Sequence, residues 1–278
     1  MTIVNYDTPS FMKTRKMLSK NTVKFIHSLE MKKFRTRERA FVAEGPKVVG
    51  DLMKVTKPMK LFATKEWIGG NNSLSEADYV QTVTEHELSQ FSFLKHPQHV
   101  LAVFPIPDTN EPSNYTDLLK GRLTLALDSV QDPGNLGTII RIADWFGIET
   151  ILCSNETADV YNPKVVQATM GSIARVKVIY TNLATALAGI GNGINIYGTF
   201  LDGENIYVSK LPNEGVIVMG NEGKGISDEV ADMVTNRILI PNYPEGRETA
   251  DSLNVAIATA ITCAEFRRTA WAGQIKNT

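Results

Sequence analysis

The chain has 278 residues, 43% of them hydrophobic, which is enough for two cores, and a formal net charge of −1. No apolar run approaches a membrane span, and Met1 to Ser10 lacks the charged and apolar regions of a secretory signal, so a cytoplasmic protein is expected. The near-neutral average conceals polarity: between Lys13 and Lys60, 14 Lys/Arg face 4 Asp/Glu, a net +10, whereas from Leu61 onward 15 face 25, a net −10. A basic segment on an acidic body is what a phosphate-tracking module joined to a small-molecule site looks like; a solvated basic helix face leaves the same record.

In chain order, Asn21 or Thr22 is placed to cap a helix carrying Val23, Phe25, Ile26 and Leu29. Phe41 to Ala43 reads as a short strand ending at Gly45-Pro46, and a second helix follows with Val48, Val49, Leu52 and Met53 on one face. Leu61 to Ala63, Tyr79-Val80 and Val100 to Phe104 are strand candidates, and Thr84 with Glu87 forms a capping-box pattern. This predicts an α+β unit over residues 1–106. Three prolines and little apolar content between Pro105 and Asn114 place a linker at 107–117.

From 118 to 278 the rhythm becomes strand, loop, helix. Leu123 to Leu127, Thr150 to Leu152, Val176 to Tyr180, Ile194 to Tyr197, Val216 to Met219 and Arg237 to Ile240 read as strands. Helices are expected through Ile139 to Trp145 and near Pro163 to Met170, Leu183 to Ala188, Ser227 to Met233 and Ser252 to Arg268. The alternation predicts an α/β domain whose mainly parallel sheet is covered on both faces.

Conventional catalytic constellations fit poorly. Cys153 and Cys263 lie in apolar segments without metal-ligand spacing and read as buried reduced thiols. His27, His86, His96 and His99 all fall in the N-terminal unit, and no metal set is predicted. The glycine-rich runs are not phosphate loops: Lys224 is followed by Gly225 rather than Ser or Thr, and the turn after the first strand reads Pro133-Gly134-Asn135-Leu136-Gly137. Taken singly, these glycines read as tight turns with positive φ.

Three loops nevertheless follow strand ends, where parallel sheets bind ligands. They place Asn135, Arg141, Glu222, Ser252 and Asn254 as candidates. Each has a structural alternative: Arg141 as a surface cation paired with Asp144 or Glu149, Glu222 as a turn residue, Ser252 and Asn254 as helix caps.

Asp132 through Arg141, Val218 through Ser227, and Ile240-Pro241 through Ser252-Leu253-Asn254-Val255-Ala256 resemble the three motifs of the SpoU (TrmH-like) branch of the SPOUT RNA 2′-O-ribose methyltransferases. Pro163 through Ser172, with Arg175, is also similar, and Lys32 to Arg39 with Phe41 through Gly45 resembles the L30e-like substrate-binding domain of family members. Residues 242–251 are more acidic than the family pattern.

The resemblance implies a C-terminal trefoil knot and methyl transfer from S-adenosylmethionine to a ribose 2′-hydroxyl, in ribosomal RNA first and transfer RNA second. It implies cofactor contacts from Thr199, Gly220, Asn221, Gly223, Ile240, Leu253 and Asn254, and catalytic roles for Arg141, Asn135, Glu222, Ser252 and Asn254. RNA contacts are expected from Lys32, Lys33, Arg35, Arg37, Arg39 and Arg175. A homodimer follows by the same resemblance, with Val255, Ile257, Ile261 and Phe266 on its interface. Base methylation on the same scaffold and a non-catalytic RNA-binding protein are the competing readings.

Overall fold

The computed structural model describes residues 18–70, 74, 77–108, 112–191, 193–244 and 247–275. The signal-sequence reading of Met1 to Ser10, the cations Lys13 to Lys16 and part of the expected linker lie outside the described residues.

The N-terminal unit runs α1 (Lys20–Ser28), α2 (Lys32–Glu38), β1 (Ala40–Glu44), α3 (Pro46–Met53), β2 (Lys60–Ala63), α4 (Lys65–Gly69), β3 (Val80–Thr82), α5 (Glu85–Ser89) and β4 (Val100–Pro105). Its sheet has the order β1-β4-β2-β3, antiparallel except between β2 and β3. Ser19, not Asn21 or Thr22, caps α1: its Oγ accepts from the Thr22 amide at 3.1 Å, which leaves the two expected caps inside the first turn. The box at Thr84 and Glu87 forms both reciprocal bonds, at 2.8 and 3.2 Å. Where β1 ends, the buried carboxylate of Glu44 accepts from Ser92 Oγ and the Phe93 amide; burial pushes its pKa up against those two bonds.

After α6 (Tyr115–Leu119) come β5 (Leu123–Leu127), α7 (Pro133–Trp145), β6 (Thr150–Cys153), α8 (Pro163–Ala168), β7 (Lys177–Tyr180), α9 (Leu183–Ala188), β8 (Ile196–Asn205), β9 (Gly215–Met219), α10 (Asp228–Ala231), β10 (Asn236–Leu239) and α11 (Val255–Ile275). The second sheet, β10-β8-β9-β5-β6-β7, is parallel throughout. Its central strands β5 and β9 are buried on both faces, as their mainly apolar runs predict. They pair in step from Leu123↔Gly215 to Leu127↔Met219, so the loops that follow them start at one level.

The strand expected at Ile194 to Tyr197 is longer. β8 pairs with β10 at Tyr197 and Gly198 and again at Glu204 and Asn205, leaving Thr199 to Gly203 as an excursion between. A Cβ on Gly203 would lie 2.4 Å from the Ile238 backbone, so only glycine allows the second pairing.

Each sheet has a core of its own, and a further apolar cluster is shared at the joint between them. Val166 of α8 belongs to the cluster of Phe41, Val49 and Phe104, with Tyr161, Ile173 and Ala174 packed against it. The Phe41 and Tyr161 rings lie 4.8 Å apart. The apolar faces of β1 and α3 are covered in part by residues 161–174 of the second unit.

Candidate active site

Asp132 opens α7. Its Oδ1 accepts from the Asn135 amide at 2.8 Å and Pro133 occupies the first turn, so Asn135 is fixed one turn in. The glycines of this run are not positive-φ turns, contrary to expectation. Gly137 is helical, and a Cβ there would stand 2.4 Å from that of Ala168; its smallness brings α7 onto α8. In the loop after β9, by contrast, Gly225 has φ +74°, and a Cβ on Gly220 would meet the Gly225 backbone at 2.2 Å. Asn221 and Gly225 close that loop as a two-bond bridge, at 2.8 and 2.9 Å.

Three distant segments meet at the carboxyl ends of the strands. The side-chain amide of Asn254 donates to Asn135 Oδ1 at 2.9 Å, and Asn135 Nδ2 donates to Glu222 Oε1 at 2.9 Å. Asn221 Nδ2 donates to the Ser129 carbonyl at 2.7 Å, tying the β9 loop to the β5 loop. Asn254 also caps α11, its Oδ1 accepting from the Ala256 and Ile257 amides. One side chain thus caps α11 through Oδ1 and reaches Asn135 through Nδ2.

Sequence reasoning missed Asp128. This buried carboxylate accepts from the Ser227 amide and Oγ, each at 2.7 Å, and fixes the far end of the Gly220 loop. The available signal was an acid closing the otherwise apolar run Leu123 to Leu127.

Arg141 lies on α7 and is exposed; among the described residues its guanidinium forms no ion pair. Both partners of its structural alternative are engaged elsewhere, Asp144 with Arg175 at 2.7 Å and Glu149 with Arg122 at 3.1 Å. Ser252 is exposed and joins no side-chain hydrogen bond among the described residues, so the geometry does not bring it into the asparagine network.

The residues assigned to a cofactor lie around the same strand ends. Thr199 within β8 and Ile240 just after β10 are half-buried, Gly220, Asn221 and Gly223 lie in the closed loop, and Leu253 is 52% exposed beside Asn254. Leu201, in the β8 excursion, is 81% exposed. Uncovered apolar side chains near a closed polar loop fit a ligand with both an apolar and a hydrogen-bonding part, as S-adenosylmethionine has. A nucleophilic thiol is excluded: burial pushes Cys263 up to about 12 and Cys153 higher still. Among the described residues no His, Cys, Asp and Glu group is arranged to hold a metal ion, and no helix is long and apolar enough to cross a membrane.

The basic residues divide. Lys32, Lys33 and Arg37 are exposed on α2, with Lys33 and Arg37 within 5.0 Å of the Phe34 ring centre. Arg39 is exposed and paired with Asp108. Arg35, expected at RNA, is corrected: it is 2% exposed and donates to Asp159 and to the Leu29 and Glu30 carbonyls. Arg175, also expected at RNA, is held by Asp144 and Asp51. Of the expected interface residues, Val255 and Phe266 are core, whereas Ile257 is 53% exposed and Ile261 half-buried.

Residues 122–264 match the SpoU rRNA Methylase family, and residues 20–102 match the MRM3-like substrate binding domain. The chain is 30% identical over 258 residues to the 23S rRNA guanosine 2′-O-methyltransferase RlmP of Bacillus subtilis, covering 92% of this chain and all of that one. A TrmH-family structure from Porphyromonas gingivalis is 43% identical with a TM-score of 0.79, over 91% of this chain and 99% of that one. An AdoMet-bound rRNA methyltransferase from Sinorhizobium meliloti is 32% identical with a TM-score of 0.77, over 91% and 96%.

Proposed function

The chain belongs to the SpoU rRNA methylase family, and from that premise we propose how its residues carry S-adenosylmethionine-dependent methylation of a ribose 2′-hydroxyl in ribosomal RNA. The observation that carries the reading is the convergence of Asn135, Glu222 and Asn254, with Arg141, exposed and without an ion pair among the described residues, on the same helix as Asn135.

S-adenosylmethionine, when bound, supplies an electrophilic sulfonium methyl. Thr199, the closed Asn221 to Gly225 loop, Ile240 and Leu253 hold it at the strand ends. Arg141 orients the ribose-phosphate and stabilises the 2′-oxygen while its proton passes to water; a guanidinium stays protonated and so acts as a donor, not as a base. Asn135 cannot rotate, because Glu222 and Asn254 take its two amide ends; that rigidity holds the first turn of α7 in place. Lys32, Lys33, Arg37 and Arg39 track phosphates, with Phe34 beside them. The domains divide at the residue 107–117 connection.

The protein works in the cytoplasm as a homodimer. Trp145, 84% exposed, continues the exposed α7 stripe of Thr138 and Arg141, and α7 packs beside α11, which carries exposed Ile257. A self-complementary contact over this face buries apolar surface that the single chain leaves in water.

The reading is tested by mapping alkali-resistant linkages in ribosomal RNA from cells with and without the gene. Loss of one 2′-O-methyl site on deletion is expected; an unchanged ribose map with a missing base methylation would replace it by the base-methylation reading.

A further inference from the structure

We propose that Asp51 and Arg175 are positioning residues that lock the N-terminal unit onto the methyltransferase unit in one orientation, so that the fixed span from the basic face to Arg141 selects the nucleotide methylated. The inference rests on the methyltransferase reading above.

Two charged seams flank the shared core. In the first, the carboxylate of Asp51 on α3, 4% exposed, accepts from Lys47 at 2.7 Å, Lys54 at 2.8 Å and Arg175 at 3.1 Å. The same guanidinium donates through Nε and Nη2 to Asp144 at 2.9 and 2.7 Å. Asp144 lies three residues beyond Arg141 on α7, so one arginine ties α3 to the helix that carries the residue assigned to the ribose. Gly171 has φ +95°, and a Cβ there would stand 2.5 Å from Asp51 Oδ2; the docking demands glycine at that point.

The second seam is Arg35, whose Nη2 meets Asp159 at 2.5 Å. Arg35 is the buried residue of α2, the helix whose exposed residues include Lys32, Lys33 and Arg37. The cations assigned to RNA therefore stand on an element pinned directly to the second unit. Between the seams lie Phe41 against Tyr161 and Val166 in the N-terminal core. Undocking would expose that apolar surface and strip Arg175 and Arg35 of carboxylates that offset their desolvation. A tether would leave the distance from RNA-binding face to reacting hydroxyl free to vary; this joint fixes it.

The experiment compares Arg175→Ala with Arg122→Ala, a control that removes a surface ion pair within one unit. Melting temperature, calorimetric cofactor affinity, kcat/KM on the substrate RNA and the map of 2′-O-methyl positions are measured for each. For Arg175→Ala the expected result is a loss of about 100-fold in kcat/KM, the scale of a misplacement near 1 Å, with methylation spreading to neighbouring riboses and cofactor affinity unchanged. A folded Arg175→Ala that methylates one nucleotide at the wild-type kcat/KM overturns the proposal. Should that variant not fold, residual dipolar couplings on the wild-type chain decide: one alignment tensor fitting amides of both units supports the lock, and two distinct tensors overturn it. No transfer by the wild-type chain refutes the methyltransferase reading and the selection of a nucleotide with it, a result distinct from an active wild type with an unchanged variant.

Discussion

Asn254 donates its side-chain amide to Asn135 Oδ1 at 2.9 Å across 119 residues of sequence, and so fixes which way the Asn135 carboxamide faces. With Oδ1 taken, Nδ2 must point at Glu222. Asn135→Asp therefore sets one carboxylate against another, and transfer is expected to fall by roughly 100-fold, the cost of one misaligned donor in a preorganised site. Pairing it with Glu222→Gln restores a donor and acceptor of the right sense. Partial recovery in the double variant, measured as a coupling in single-turnover transfer, checks the orientation.

Arg141→Ala is expected to lower turnover by about two to three orders of magnitude while leaving cofactor affinity, measured by calorimetry, nearly unchanged. Arg141→Lys should stay strongly impaired, because an ammonium lacks the planar fork that holds ribose and phosphate together. Near-wild-type transfer by a folded, dimeric Arg141→Ala would return the residue to a surface cation.

Trp145→Asp and Ile257→Asp, each placing a charge on the exposed face of α7 or α11, should shift the protein from dimer to monomer in sedimentation. Both sites are exposed in the single chain, so its fold should hold, as read by circular dichroism. Unaltered sedimentation of both variants would remove this face from the dimer.

Acid should loosen the joint between the units. Lys47 and Lys54 hold Asp51 well below the usual carboxylate range, burial opposes them, and Arg175 adds to the lowering. A depressed folded pKa contributes stability that is present above the ordinary Asp value of about 4 and is lost as pH falls toward the folded one. Glu44 has the opposite sign: its raised pKa favours the folded state at low pH and partly offsets the loss. The stability difference between wild type and Asp51→Asn, from denaturant titrations, should therefore narrow as pH drops below about 4. A difference that is constant over that range would show that Asp51 carries no such linkage.

How much was legible depends on where each residue finds its partner. β5 and β9 could be read because strands buried on both faces are nearly continuous apolar runs. α2 could not, because its buried residue is Arg35 and apolar periodicity has nothing to register. Gly137 looked like a turn glycine because sequence does not show that Ala168 packs against it. The three site motifs were readable as motifs, but the bonds from Asn254 to Asn135 and on to Glu222 depend on loops that only the sheet order brings together. Sequence offered Asp144 as a partner for Arg141; in the fold Arg175 claims it, and Asp51, 124 residues from Arg175, completes the bridge.

The position of the transferred methyl group distinguishes ribose from base methylation. The purified chain, methyl-labelled S-adenosylmethionine and ribosomal RNA lacking the modification are incubated together, and the product is hydrolysed in alkali. Label is predicted in a single alkali-resistant dinucleotide, because a methylated 2′-oxygen cannot attack its neighbouring phosphate. Label released wholly in mononucleotides would place the methyl on a base and contradict the ribose reaction assigned to Arg141.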